Sequence, residues 1–204
     1  MPAHSPENLT IATTGASGSL FLKHLLLAVE EDARVSNVNF IASDSGLRVL
    51  AEELGVKGRN NLVATLLGTK SKKIHVQNNV DIGANVASGS YPSDGMIVIP
   101  CSVGTLARIA NGVASHLIER AADVTLKERR PLVLCVRETP LSKIHIRNMR
   151  DLTRQLLEEH GFRVIAMSDG KSALESLNAH ENAIDVVLTD VVMRGMRANH
   201  QKRE

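Results

Sequence analysis

The stretch Gly89-Ser90-Tyr91-Pro92-Ser93-Asp94-Gly95-Met96-Ile97-Val98-Ile99-Pro100-Cys101-Ser102 decides the fold of this 204-residue chain. Met96 to Pro100 is apolar without interruption. That is the composition of a strand buried on both faces, not of one wetted at alternate positions. Ser102-Val103-Gly104-Thr105 follows at once, two hydroxyls and a glycine. The apolar spacing Leu106, Ile109, Ala110, Val113, Leu117 and Ile118 then marks one face of a helix. Strand, turn and helix in that order build a parallel sheet, whose ligands gather outside the carboxyl ends of the strands.

The same unit recurs on either side. Leu9-Thr10-Ile11-Ala12-Thr13 is β-prone and runs into Gly15-Ala16-Ser17-Gly18, after which Leu22, Leu25, Leu26 and Val29 recur at helical spacing. Val38 to Ala42 predicts a second strand, and Ser43-Asp44-Ser45 caps a helix carrying Leu47, Leu50, Ala51 and Leu54. Gly55 to Lys73 is polar and punctuated by glycine, a loop with room for one short helix. Leu132 to Val136 is another strand. Beyond Pro140 the pattern predicts a helix from Ser142 to His160, a strand from Phe162 to Met167, a helix from Lys171 to Ala179 and a strand from Ile184 to Leu188. Residues 197–204 form a polar tail predicted to be disordered. The expected class is α/β, a three-layer parallel sheet with helices on both faces.

Composition narrows the function. With no Trp, one Tyr and three Phe, the core must be built from Val, Ile, Leu and Ala. A net charge of +2 supplies no field for nucleic acid. No apolar run approaches the ~20 residues of a membrane span, and the first residues lack the basic-then-apolar order of a secretory signal. Cys101 and Cys135 form no Cys-x-x-Cys pair and lie in strand-like runs, as buried core residues in a reduced, cytoplasmic setting. The eight histidines show no ligand spacing, so no metal is expected.

Three groups of residues carry chemistry. Gly15 and Gly18 let a ligand approach the backbone, and the Ser17 hydroxyl can donate to a phosphate or a flavin edge. Taken alone, that turn is equally a plain loop. Ser102 to Thr105 repeats the arrangement, with Ser102 either a ligand contact or simply a helix cap. Together the two turns favour an anionic ligand. Arg120, Lys127, Arg129, Arg130, Arg137 and Glu138 are the third group. Arg129 and Arg130 are expected at the surface, while Arg137 and Glu138 close a strand and point to the ligand crevice. Glu138 among arginines suits general acid–base work or a structural ion pair.

From Leu9 to about Met149 the chain resembles the flavin prenyltransferase (UbiX) family, formerly described as aromatic-acid decarboxylases, among the homo-oligomeric Rossmann-like (flavodoxin-like) FMN proteins. The resemblance rests on Thr14-Gly15-Ala16-Ser17-Gly18, Ser88-Gly89-Ser90-Tyr91, Asp94-Gly95-Met96, Pro100 to Thr105, Arg120-Ala121-Ala122-Asp123-Val124, Leu126 to Leu134, Val136-Arg137-Glu138-Thr139-Pro140 and His145 to Met149. It implies FMN contacts from Gly15, Ala16, Ser17, Ser43, Ser102, Val103, Gly104, Thr105 and Arg137. It implies Arg120, Lys127 and Glu138 around dimethylallyl phosphate, with Glu138 shuttling protons and Ser17 assisting. Apolar side chains near Tyr91 would help to keep water from the allylic group, with ordinary packing the other reading of Tyr91. The implied reaction joins a dimethylallyl group to N5 of reduced FMN and closes a ring onto C6, without metal. The product serves a UbiD-type decarboxylase in ubiquinone-type or aromatic acid metabolism. The implied assembly runs from trimer to dodecamer. The runner-up readings are an FMN-binding cysteine decarboxylase and a flavin-binding hybrid without catalysis.

The tail departs from that pattern. The family continues with a Tyr and an Arg that grip the substrate phosphate, whereas the single tyrosine here is Tyr91. Residues 152–196 instead resemble part of a response-regulator receiver domain, through Leu156 to Val164, Asp169 to Leu174 and Asp185 to Met193. Asp190 would be the phosphoacceptor, but the partners that hold Mg²⁺ in receivers are missing. The expected organisation is a flavin domain over 1–150, a receiver-like fragment over 151–196 and the tail. Phe162 to Met167 could then take the edge of the sheet, with prenyl transfer impaired.

Overall fold

Four of the five strands in the main sheet were foreseen, and the fifth explains the order of the rest. The computed structural model describes residues 7–56, 58–137, 141–159, 161, 163–167, 170–179, 192–193 and 196–197. Two compact units divide the chain, residues 1–152 and 153–204.

In the first unit, β1 (Asn8–Thr13) leads to α1 (Ser19–Glu31), β2 (Asn37–Ala42), α2 (Asp44–Leu54), α3 (Leu62–Leu67) and β3 (Ile74–Asn78). A 3-10 turn (Asn85–Ala87) precedes β4 (Gly95–Cys101), α4 (Val103–Ala110), α5 (Leu117–Lys127) and β5 (Leu132–Val136). The sheet order is β3-β2-β1-β4-β5, every pair parallel. The chain winds outward from β1 to β3, then crosses back to lay β4 on the other side of β1. That reversal leaves a crevice at the carboxyl ends of β1 and β4.

Burial follows the pattern of the strands. Ile11, Ala12, Val38, Phe40, Ile41, Val98 and Cys101 are fully buried, as the continuous apolar runs require. The main apolar cluster joins Ile11, Val38 and Phe40 of the sheet to Leu22 and Leu26 of α1, Leu50 of α2 and Leu62 and Leu66 of α3. The short helix allowed for between Gly55 and Lys73 is therefore α3, and its apolar face anchors it.

Three expectations need correction. β3 was not foreseen, because an edge strand of the composition Ile-His-Val-Gln-Asn is largely exposed and its apolar alternation is limited to Ile74 and Val76. The single helix expected from Leu106 to Ile118 is two helices. Gly112 at φ 65° turns the chain between them, and Val113 is half exposed. Residues 163–167, expected as a strand, are irregular, with Ile165 and Met167 partly exposed.

The remaining elements are α6 (Lys143–Glu159), α7 (Gly170–Ala179) and a small antiparallel pair, β6 (Val192–Met193) and β7 (Met196–Arg197). The helices match the expectations for 142–160 and 171–179. The expected strand over 184–188, Asp190 and residues 198–204 lie outside the described residues.

Candidate functional site

Thr14 is the residue that makes two turns into one site. It follows β1 and is buried, with its N–H and its Oγ1 both donating to the Pro100 carbonyl, at 3.1 and 3.0 Å. The same Oγ1 accepts from the Ser102 N–H at 2.7 Å. The turn after β1 is thereby tied to the turn after β4, across 88 residues of sequence. Ser43 joins them from β2, its N–H donating to the Thr13 carbonyl at 3.1 Å. Arg137 joins from β5, its N–H donating to the Cys101 carbonyl at 3.0 Å. So the Gly15 to Gly18 turn, Ser43, Ser102 to Thr105 and Arg137 stand at one edge of the sheet.

Packing explains two of the glycines there. A Cβ on Gly15 would stand 2.6 Å from both Cβ and Oγ of Ser45, and one on Gly46 would stand 2.9 Å from the Thr13 carbonyl oxygen. The β1 and β2 turns can approach this closely only without side chains. Within the first turn, Ala16 is buried while Gly15 and Ser17 are exposed. Ser17 is thus free to face a ligand.

The start of α1 is already neutralised. Glu53, on α2, accepts the Gly18 N–H at 3.1 Å and the Ser19 N–H at 2.7 Å. The bond from the Ser19 N–H foremost, then the Ser19 side chain, the Gly18 N–H and the nearby Arg137 charge, hold its carboxyl below the usual carboxylate range, against desolvation. At this turn the chain supplies its own anion to the start of α1. Sequence reasoning missed Glu53, which lies 35 residues from its partner on an unremarkable helix face.

At the second turn Ser102 caps α4, its Oγ accepting the Thr105 N–H at 3.3 Å. Val103 and Ser102 are half exposed, Gly104 is exposed and Thr105 is buried. Both roles left open for Ser102 are compatible with this geometry.

The basic residues separate. Arg120, in the first turn of α5, donates to the Ala87 carbonyl at 3.2 Å and pairs with Asp123 at 2.9 Å. Lys127 lies two turns on, about 10.5 Å along the helix axis, near where the chain enters β5 at the amino edge of the sheet. It therefore stands away from the crevice of its own chain, exposed and 3.7 Å from Glu128. Arg130, expected at the surface, instead donates to the carbonyls of Gly89 and Tyr91, at 2.8 and 2.9 Å. Arg129 sits at φ 54°. Glu138 lies outside the described residues.

The Tyr91 hydroxyl accepts from Asn37 and Asn39, both at 2.9 Å, and Asn37 opens β2 at the amino edge. In this chain's own fold the Tyr91 hydroxyl packs at that edge, away from the carboxyl ends of β1 and β4. Burial pushes the Cys101 thiol up to about 12 and raises Cys135 as well, which makes both poor nucleophiles. Among the described residues no group of three or more His, Cys, Asp or Glu could hold a metal, and no helix is long and apolar enough to cross a membrane.

This architecture has relatives. Residues 3–196 match the family model described as Flavoprotein. The flavin prenyltransferase UbiX of Pseudomonas aeruginosa is 41% identical over 154 residues, covering 72% of this chain and 73% of that one. The crystal structure of AnUbiX in complex with FMN and dimethylallyl pyrophosphate matches with a TM-score of 0.63 at 40% identity, over 73% of this chain and 74% of that one. A dodecameric FMN-dependent UbiX-like decarboxylase from Escherichia coli matches with a TM-score of 0.64 at 34% identity, over 77% of this chain and 95% of that one. Cysteine decarboxylases match at only 15 to 17% identity, which shows the fold alone.

Proposed function

The chain belongs to the flavin prenyltransferase family of flavoproteins, and from that premise we propose that it transfers a dimethylallyl group from dimethylallyl phosphate to reduced FMN. The observation that carries this reading is the joining of the β1 and β4 turns by Thr14. It makes a crevice edge from backbone and hydroxyl groups, at the topological reversal where such folds take nucleotides. The residues fit FMN: Gly15 keeps the first turn free of a side chain, Ser17 is exposed, and Ser43, Ser102, Val103, Gly104 and Arg137 line the same edge.

Reduced FMN supplies the electron-rich ring that accepts the allyl group. The protein's part is to hold both reactants in contact, keep water away and stabilise the departing phosphate. Arg120 and Lys127 are the proposed phosphate ligands, Glu138 the proposed proton carrier and Ser17 its assistant. Because Lys127 lies near the amino edge of its own sheet, it meets the crevice only when α5 of a neighbouring copy faces it. A homo-oligomer, in the range from trimer to dodecamer, is therefore part of the proposal. Exposed Leu20, Phe21, Val80 and Ile82 are suited to be covered by such neighbours. Prenylated FMN would pass to a UbiD-type decarboxylase. The setting is cytoplasmic, without nucleic acid or membrane.

The receiver-like character of residues 151–196 leaves the chain without the family's C-terminal Tyr and Arg, so turnover should be impaired. The test is incubation with reduced FMN and dimethylallyl phosphate, followed by mass spectrometry. A product heavier than FMN by one prenyl group, formed more slowly than by the Pseudomonas relative, is expected. FMN binding without that product would leave a flavin-binding hybrid. Absence of FMN binding would remove the assignment altogether.

A further inference from the structure

Glu119 is the one buried side chain among the described residues with an oxygen lacking a hydrogen-bond partner. It lies on α5, 4% exposed. Its Oε1 accepts from Arg108 Nε at 2.7 Å, while Oε2 has only His116 Nδ1, at 4.0 Å. A carboxylate is costly to bury unless paired, and the close partner of Glu119 is Arg108. That bond fixes a guanidinium on α4 that would otherwise be free to swing.

The held guanidinium then reaches back one turn. Arg108 Nη2 donates to Thr105 Oγ1 at 3.2 Å, and Ser102 Oγ donates to the same oxygen at 3.2 Å. The hydrogen-bond geometry gives the sense of the chain, with Ser102 Oγ the donor and Thr105 Oγ1 the acceptor. A hydroxyl has one proton and two lone pairs, and Arg108 can only donate. Arg108 occupies one lone pair of Thr105 Oγ1 and the Ser102 proton occupies the other. Ser102 Oγ also accepts the Thr105 N–H, so its proton and one lone pair are spent. What it can still offer a ligand is one lone pair, and Ser102 is half exposed at the crevice edge.

We propose that Arg108, locked by buried Glu119, is a positioning residue that sets the Ser102 hydroxyl as a hydrogen-bond acceptor for the bound flavin nucleotide. This rests on the reading of the crevice as an FMN site. The complementary groups on FMN are its ring N–H and ribityl O–H donors; the ionised phosphate oxygens only accept. The Ser102 hydroxyl thus meets the ring or ribityl portion rather than the phosphate.

A double-mutant cycle tests it, with FMN affinity read by flavin fluorescence and melting temperature measured without FMN. Arg108→Ala and Ser102→Ala are each expected to weaken FMN binding about 5- to 20-fold, the loss of one hydrogen bond. The double variant is expected to be no weaker than Ser102→Ala, since contacting residues in one network are non-additive. Arg108→Lys, which keeps charge and stem but cannot fork between Glu119 and Thr105, should bind as poorly as Arg108→Ala while melting like the parent. Additive losses, or unchanged affinity in either Arg108 variant, overturn the proposal. If the parent itself fails to bind FMN, the FMN reading falls first and this inference with it.

Discussion

Glu53 shows how one carboxylate can shape a site without any local signal. Its pKa is depressed in the folded chain, so it adds stability that is fully present above the usual value of 4.5 and is lost as pH falls through the lower folded value. Glu53→Gln should therefore melt below the parent at neutral pH, and the gap should close once the medium is acid enough to protonate Glu53 in the folded protein. Thermal melts across that range check it. Gly15 carries the opposite constraint, of space: its added Cβ would lie 2.6 Å from Ser45. Gly15→Ala should cost about 1–3 kcal/mol of stability by overpacking and weaken FMN binding, both measurable by denaturant titration and fluorescence. The importance of Gly15 was legible from its place after a strand. Its contact with Ser45, and the bonds of Glu53 to Gly18 and Ser19, were not, because they join turns about 30 or more residues apart.

At the scale of elements, the strands whose burial is nearly complete were the legible ones. β1, β2 and β4 announce themselves because both faces need apolar side chains. β3 escaped notice because an edge strand is held by its backbone ladder to β2, which leaves His75 and Val76 exposed. The break between α4 and α5 was hidden because Val113 imitates the spacing of a continuous face, though Gly112 could have flagged it. Thr14 links β1 and β4, and Thr14→Val keeps the shape while deleting the bonds from and to its hydroxyl. Since it strands the Ser102 N–H and loosens the turn, a loss of about 1–3 kcal/mol is expected, together with weaker FMN binding. Urea unfolding against the parent tests the first and flavin titration the second.

On the scale of the whole molecule, every described residue proposed to touch FMN lies in the first unit, residues 1–152. Deleting residues 161–204 should leave the FMN dissociation constant within about twofold of the parent, as expected for a domain with its own core. A larger loss would tie the tail to the crevice. The distance between Lys127 and the crevice of its own chain makes a second expectation: light scattering should return a multiple of the chain mass. Mixing a Lys127→Ala chain with one carrying Gly15→Ala should restore part of the lost turnover, since a shared site needs only one intact copy of each.

From the residues alone came the α/β class, the apolar central strands, the two ligand turns and the family resemblance, because each is written in contiguous stretches whose periodicity or composition is local. The order of strands, the seam made by Thr14, the self-supplied anion at α1 and the positions of Lys127, Arg130 and Tyr91 came from the folded chain. These depend on which distant segments become neighbours. Hydrophobic spacing tells a segment that it must be buried, but β1 finds β4 more than 80 residues away through packing and ladder bonds that no local window contains.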